Sequence, residues 1–588
     1  MGLFLCTSVL EAFGIGLIGP FIAIATNPSI IHQNNWTSQL YDQLSFRSDS
    51  GFIMAFGLAV VIALWSKSIL GFNVQRRIFA FGFGQQADLR SRLMTSYMQV
   101  PYTFHLSRNT ASLIQNLLNE TLVFANGILM PILFATANSM IVIALLILLM
   151  MTNFVATSSV LIVMLILFSF IYRFRQRVAT WGKEASQANK EMVRVINHGV
   201  GGFKEARILG CAPYFEHQLS VQAQTYKRAV ENFHAFDLLP RYTLEPVLIT
   251  FIVGFTVVSI VTGQNAEKLA ATLGVFGIAA VRLLPAASGL MQAYGGVKRS
   301  SYVLDVLYHD LKEIEGVEQA LQRLPAMELP AMKLSAMKLS ATELAQAESL
   351  PFHHAIQIRS LTYTYPNADK PALSNISLDI KKGQSIGIIG KSGAGKTTLV
   401  DVLLGLLSVK QGDFMVDGIS IPENMPQWQR LVGYIPQSIF LIDDTLERNI
   451  AFGVPDANID SEKLERAIKT AQLSDVVAQL PDGIQTAVGE RGVLLSGGQR
   501  QRVGIARALY HEREVLVLDE ATAALDNETE SLVTKAIESL SGNKTMIVIA
   551  HRLTTLEQCD HIYEMHQGQI VRSGTYQDVV LGNPVETV

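Results

Sequence analysis

The residues best suited to chemistry are Gly390, Lys391, Ser392, Gly393, Ala394, Gly395, Lys396 and Thr397. They fit the pattern G-x-x-x-x-G-K-[ST], a loop whose backbone N–H groups surround the phosphates of a nucleotide. Glycine lets the chain bend close to an anion, and a helix N-terminus adds unpaired N–H groups and partial positive charge. Lys396 is then placed to reach the β- and γ-phosphates, and the Thr397 hydroxyl to ligate Mg²⁺. The pattern needs a strand before it and a helix after it. Ser385 to Ile389 reads as a buried strand, and Thr398 to Leu407 is apolar at helical spacing. A glycine-rich turn with a chance Lys-Thr is the competing reading.

Four further signals weigh against chance. Gln437 closes Gly433-Tyr434-Ile435-Pro436-Gln437, a strand end. Leu495-Ser496-Gly497-Gly498-Gln499 opens a helix that continues through Arg502 and Ala506. Val515 to Asp519 is a buried strand, and Glu520 follows it, so two carboxylates stand at its end. His551 ends a second such strand, Thr545 to Ala550. All of this falls within 351–588, whose composition is that of an α/β domain.

The elements before it differ in kind. Of 588 residues only 16% are charged, 49% are hydrophobic, and the mean hydropathy is +0.29. A soluble enzyme carries about 25% charge. The deficit lies before residue 300 and points to a membrane, while a net charge of −3 gives no case for nucleic acid. Cys6, Cys211 and Cys559 form no metal-binding spacing and read as small buried residues.

A bilayer span takes about 20 mostly apolar residues. Six runs qualify: Gly2–Ala25, Gly51–Ile69, Val123–Met150, Phe154–Tyr172, Leu244–Val261 and Leu269–Leu284. The first is read as a span and not a signal peptide, because no Lys or Arg precedes it and Glu11 lies inside it. The segments 67–108 and 173–241 are rich in Lys and Arg, including Arg76, Arg77, Arg90, Arg92, Arg175 and Arg177. The positive-inside rule puts them, and both termini, in the cytoplasm. Their helical patterns break at Val100-Pro101-Tyr102 and at Gly210-Cys211-Ala212-Pro213, predicting short exposed helices able to dock on another domain.

Glu11, Lys67, Arg241 and Arg282 lie in or at the ends of these apolar runs. A charge at mid-bilayer costs about 2.5–3.5 kcal/mol on insertion scales, so it faces a cavity or a partner. Arg282 either lines a cavity or pairs with Glu11. Lys67 and Arg241 either line it too or snorkel to the interface. Cations around a cavity suit a phosphate or pyrophosphate head group. The domains are thus 1–310, helical and membrane-spanning; 311–350, a linker with a stuttering pentapeptide from Leu324 to Glu343; and 351–588.

In this order the motifs resemble those of the ATP-binding cassette (ABC) transporters: Walker A loop, Q-loop, LSGGQ signature, Walker B, D-loop and H-loop. The resemblance covers essentially the whole chain, since six spans followed by one cassette is the layout of an exporter-type (type IV) half-transporter. It implies an ATPase coupled to transport, in the plasma (inner) membrane, with the cassette cytoplasmic and ATP and Mg²⁺ as cofactors. It implies that Asp519, Thr397 and Gln437 hold the Mg²⁺ shell, that Glu520 is the base, and that His551 contacts the γ-phosphate beside Lys396. Thr398 belongs to the same nucleotide site. Tyr365 resembles the aromatic that stacks on adenine, with Tyr363 the less suited candidate. Ser496, Gly497, Gly498, Gln499 and Asp526 would close over the ATP of an opposite subunit, which implies a homodimer. Thr486 to Gly492 resembles the exporter X-loop. Two departures stand out: Ala523 where Ser is usual, and no counterpart of the amphipathic helix that usually precedes the first span.

Two membrane segments, Glu11 to Phe21 and Arg282-Leu283-Leu284-Pro285, resemble those of bacterial lipid-linked oligosaccharide flippases. Lys67, Arg241 and Arg282 match cavity cations there, Lys67 as a Lys for an Arg, and Gly289 replaces a further Arg. The expected cargo is a lipid-linked oligosaccharide or other phosphorylated glycolipid. A lipid or multidrug exporter of the same fold is the alternative.

Overall fold

A computed structural model describes residues 28–33, 35–46, 48–152, 154–261, 266–322, 350–366, 368–520, 527–550 and 556–582, with isolated positions between 17 and 25. The chain divides into two compact units, one of residues 1–100 and 108–322, the other of 101–107 and 323–588.

The first unit is helical. Its long helix α1 (Asp49–Gln99) starts where the Ser48 hydroxyl accepts the Gly51 N–H at 3.2 Å. It stops at Val100, because the Pro101 ring disfavours helical geometry in the residue before it. The short helix α2 (Tyr102–Ser107) follows and belongs to the second unit. Then come α3 (Thr110–Met151), α4 (Phe154–Tyr172), α5 (Arg175–Gly201), α6 (Phe203–Ile208), α7 (Ala212–Val261) and α8 (Ala266–Gln322). Short helices therefore stand at both sequence breaks.

Among the described residues three helices are long and apolar enough to cross a membrane: α1, α3 and Ala212–Val258 within α7. The first expected span lies mostly outside the described residues. So do most side chains of the sixth. The helix α8 runs past Asp310 to Gln322, so the expected linker begins as helix, while the pentapeptide stutter lies outside the described residues.

Two glycines set how closely these helices approach. A Cβ at Gly127 would stand 2.0 Å from Ser300 Oγ, and one at Gly182 would stand 2.1 Å from the Arg299 carbonyl oxygen. Below that contact a buried carboxylate gathers three elements. Asp310 accepts from the Tyr97 hydroxyl at 2.5 Å, Arg108 Nη1 at 2.8 Å and Asn116 Nδ2 at 2.8 Å. The end of α1, the start of α3 and α8 are thereby tied together.

The second unit holds two sheets. The antiparallel one orders β2 (Leu373–Lys381), β1 (Ala355–Tyr363), β4 (Gln411–Val416) and β5 (Ile419–Ser420). The other orders β10 (Gln569–Gly574), β9 (His561–His566), β3 (Ser385–Ile389), β8 (Thr545–Ile549), β7 (Val515–Asp519) and β6 (Val432–Ile435). All its neighbours are parallel except β9 and β10. The strands β3, β7 and β8 are buried along almost their whole length, as strands covered on both faces must be.

Asp417 and Gly418 join β4 to β5 with φ of 48° and 81°, the two left-handed residues of a type I′ hairpin. The Asp417 carboxylate also accepts the N–H groups of His353, His354 at 3.0 Å and Ala355 at 2.8 Å, where the chain enters β1. Burial pushes this carboxyl up, but the three backbone bonds outweigh it and hold it below its ordinary 3.8.

Two outcomes follow for thermal unfolding of the detergent-solubilised protein. Asp310→Ala removes the acceptor of three donors and should cost about 3–5 kcal/mol, with Asp310→Asn milder. Asp417→Asn should lower the Tm at pH 7, because a depressed carboxyl stabilises the fold above its unfolded value. That difference should vanish as the pH falls through 3.8 and below.

Candidate functional site

The parallel register brings the chemistry to one level. Ile549 of β8 pairs with Ile388 of β3 on one side and with Asp519 of β7 on the other. The phosphate loop and the two carboxylates therefore leave the sheet together, flanking β8. On the far side of β7, Ile435 pairs with Leu518, and Gln437 follows the strand. Ligands of such sheets bind beyond the carboxyl ends of the strands. His551, which follows β8, and Asp526 lie outside the described residues.

The loop is built on backbone geometry that only glycine adopts freely. Gly390, Gly393 and Gly395 have φ of 153°, 79° and 103°, and a Cβ at Gly390 would stand 2.4 Å from the Met565 carbonyl oxygen. The helix α9 (Lys396–Leu403) starts with Gly395 as its N-cap and no side-chain cap. Lys396 is buried, and its ammonium donates to the carbonyls of Gly390 at 2.7 Å and Lys391 at 3.3 Å. Lys391, Ser392, Gly393 and Thr397 are exposed, whereas Ala394 and Thr398 are buried. Tyr365 places its hydroxyl 3.2 Å from Thr398 Oγ1. Tyr363 is buried in the core of β1, with Tyr365 edge-on to it at 5.1 Å, so of the pair Tyr365 is the accessible ring. Tyr102 of α2 packs against the same core.

Across the sheet, Gln437 Nε2 donates to Glu520 Oε2 at 2.6 Å. Glu520 has φ of 50°, a strained value for a residue with a Cβ, and its N–H is held by the Ile549 carbonyl at 2.9 Å. The Tyr434 hydroxyl lies 3.3 Å from Asp519 Oδ2, and burial followed by the Asp519 charge pushes its phenol up. Asp401, one turn beyond Thr397, has its carboxyl pushed up to about 6 by burial and then by Asp519. Neither Tyr434 nor Asp401 was expected from the sequence; strand position next to Gln437 marked the first, and helical spacing from Thr397 the second.

The signature turn opens α10 (Gly497–Tyr510). Ser496 Oγ accepts the Gln499 N–H at 3.3 Å, and Gln499 Oε1 accepts the Ser496 N–H at 2.8 Å, a reciprocal cap. Open space surrounds Gly497, while Gly498 is buried. The result is an uncluttered helix N-terminus suited to a phosphate. In the segment Thr486 to Gly492, Gly489, Arg491 and Gly492 all have positive φ, and a Cβ at Gly492 would meet Leu441 at 2.4 Å.

In the membrane unit only Lys67 of the four expected substrate residues has a described side chain, and it is buried within α1. Arg241 and Arg282 lie in α7 and α8 with their side chains outside the described part, and Glu11 lies outside the described residues. At Gly289 a Cβ would stand 2.6 Å from Asn138 Nδ2, so an amide from α3 fills the place where a side chain would begin. Glu245 was missed: a lone carboxylate at the start of an apolar run, it faces a pocket between α7 and α8.

Comparison with known proteins then decides the family. The ABC transporter family matches residues 373–523, and the ABC transporter transmembrane region matches residues 14–234. An ATP-dependent lipid A-core flippase of Ralstonia nicotianae is 30% identical over 506 residues, covering 84% of this chain and 79% of the relative. The chain belongs to the ABC transporter family. A second ATP-dependent lipid A-core flippase, from Cupriavidus metallidurans, is 28% identical over 84% of this chain and 80% of its own length. A bacterial Atm1-family ABC exporter solved with ATP bound shares the fold, with a TM-score of 0.70 and 22% identity over 98% of this chain and 96% of that one. This ABC transporter is an ATPase coupled to transport, and it binds ATP.

Because Gly390 has no room for a Cβ beside Met565, Gly390→Ala should cost about 1–3 kcal/mol of cassette stability. It should also weaken ATP binding at least several-fold, read by nucleotide titration of the full-length protein.

Proposed function

We propose that this ABC transporter flips a phosphorylated glycolipid across the plasma (inner) membrane as a homodimer, with both cassettes cytoplasmic. The observation that carries the reading is the match to proteins named as ATP-dependent lipid A-core flippases, which runs through both the membrane and the cassette halves. Buried Lys67, with Arg241 and Arg282 at the membrane level of α7 and α8, supplies cations for phosphate groups. The basic segments 67–108 and 173–241 support the orientation. At the tip of the second extension Phe203, Ile208 and Leu209 are exposed apolar residues, suited to the cassette of a second copy.

The chemistry is mainly positioning. The loop N–H groups and Lys396 hold the β- and γ-phosphates, and Tyr365 offers a ring to the adenine. Glu520 takes the proton of a water whose oxygen attacks the γ-phosphorus as the bond to the bridging oxygen breaks. Mg²⁺, when bound, neutralises charge on the phosphates. The Thr397 hydroxyl, Asp519 carboxylate and Gln437 amide oxygen form the hard oxygen set that such an ion takes. Gln437 occupies one Glu520 oxygen at 2.6 Å, so it reports directly on the state of the base. Ser496 and Gly498 serve the ATP of the partner subunit, which makes each site incomplete in one chain.

Glu520→Gln should cut turnover by about 10²–10⁴-fold, the weight of a general base, while nucleotide binding persists. In proteoliposomes, ATPase stimulation and flipping should follow phosphorylated glycolipids and not uncharged hydrophobic drugs. A stable monomer hydrolysing ATP at the full rate, or stimulation by drugs alone, would refute the proposal.

A further inference from the structure

A pocket of about 450 Å³ opens between α7 and α8, lined by Leu244, Glu245, Val281, Leu284, Ser288 and Gln292 among others. Its place matters. Leu244 begins one apolar run and Leu284 ends the next, so both spans reach the same membrane surface here, the one that carries the basic extensions. The apolar wall of Leu244, Val281 and Leu284 lies toward the spans. Glu245, Ser288 and Gln292 form the polar part. Leu244 and Leu284 are shared with a narrow apolar crevice that continues along Val247, Phe251 and Met164. A pocket with polar side chains on one side, joined to an apolar slit, has the shape of an amphiphile's boundary.

The polar side of the pocket offers several hydrogen-bond acceptors. Glu245 is exposed to it and has no ion-pair or hydrogen-bond partner among the described residues. Pro285 has no N–H, so the Val281 carbonyl one turn earlier loses its usual intrahelical donor. Ser288 is nearly buried, and its Oγ lies 3.5 Å from Gln292 Nε2. An ionisable group at the end of a membrane span and facing a pocket is a functional-site candidate. Cations would serve a phosphate, but a carboxylate repels one. Glu245 instead asks for donors.

We propose that this pocket is a head-group subsite: the Glu245 carboxylate accepts hydrogen bonds from the donor-bearing part of the cargo, sugar hydroxyls or a primary amine. Recognition of the phosphate is left to the cationic groups of the proposed flippase. This rests on reading the chain as a glycolipid flippase and adds what is recognised besides phosphate.

The test uses the full-length protein in proteoliposomes and three long-chain phosphates: bare, joined to a neutral sugar, and joined to ethanolamine. The readout is the lipid concentration giving half-maximal ATPase stimulation. Glu245→Ala should raise it about tenfold for the donor-bearing lipid, the loss of one charge-assisted hydrogen bond, and by less than about twofold for the bare phosphate. Glu245→Gln, of the same size, separates the sources: its amide oxygen still accepts from sugar hydroxyls, so the sugar lipid keeps its effect, whereas an ammonium loses its counter-charge. Equal shifts for all three lipids, or no shift, with wild type stimulated normally, would overturn the subsite and leave the flippase reading intact. Wild type stimulated by none of the three would overturn both.

Discussion

The alignment of three parallel strands is the constraint on which the nucleotide chemistry depends. Ile549 stands between Ile388 and Asp519 in one row, and a slip of a single residue in either pairing would turn every side chain of the shifted strand to the opposite face. Asp519 and Glu520 would then trade faces, and the carboxylate that meets Gln437 would be the wrong one. The register is protected by burial: the side chains of β8 are enclosed along the whole strand, so a slip would have to repack both cores at once. Glu520 adds a second safeguard. Its left-handed backbone is costly by about 1–3 kcal/mol and persists only where neighbours fix it. Here the Ile549 carbonyl and Gln437 do so from opposite sides.

The membrane unit solves a different problem, bringing long helices close without wasting polar groups. Gly127 and Gly182 remove the side chains that would hold α3 and α5 away from α8, and Asp310 then meets donors from α1 and α3. Close backbone approach and a satisfied buried carboxylate are complementary, since an unsatisfied one would cost more than the packing returns. Glu245, at the start of the apolar run in α7, has no such donor among the described residues, and it stands at an open pocket.

Much of this was legible in the residues because the motifs encode backbone needs. The loop's glycines announce positive φ, the Ser496–Gln499 spacing announces a reciprocal cap, and Pro101 announces the end of α1. The two carboxylates at the end of an apolar strand were readable for the same reason. What stayed hidden depends on long-range contact. Nothing local to Asp401 reveals that Asp519 stands near it, and nothing in Tyr434 reveals its approach to Asp519. The expected domain end at residue 310 failed to anticipate that α8 continues to Gln322, because the helical pattern fades gradually there while the backbone stays regular. Gly289 read as the replacement of a cavity arginine, and the amide of Asn138, far away in sequence, stands where a side chain there would begin.

The same long-range logic bears on coupling. Residues 101–107 come between two helices of the membrane unit in sequence, yet they fold as part of the cassette. Tyr102 packs on the core that also supports Tyr365, and burial followed by the nearby Asp401 and Tyr365 pushes its hydroxyl up. Tyr102 and Tyr365 are thereby coupled within the cassette, so a change at either ring disturbs the seat of the other.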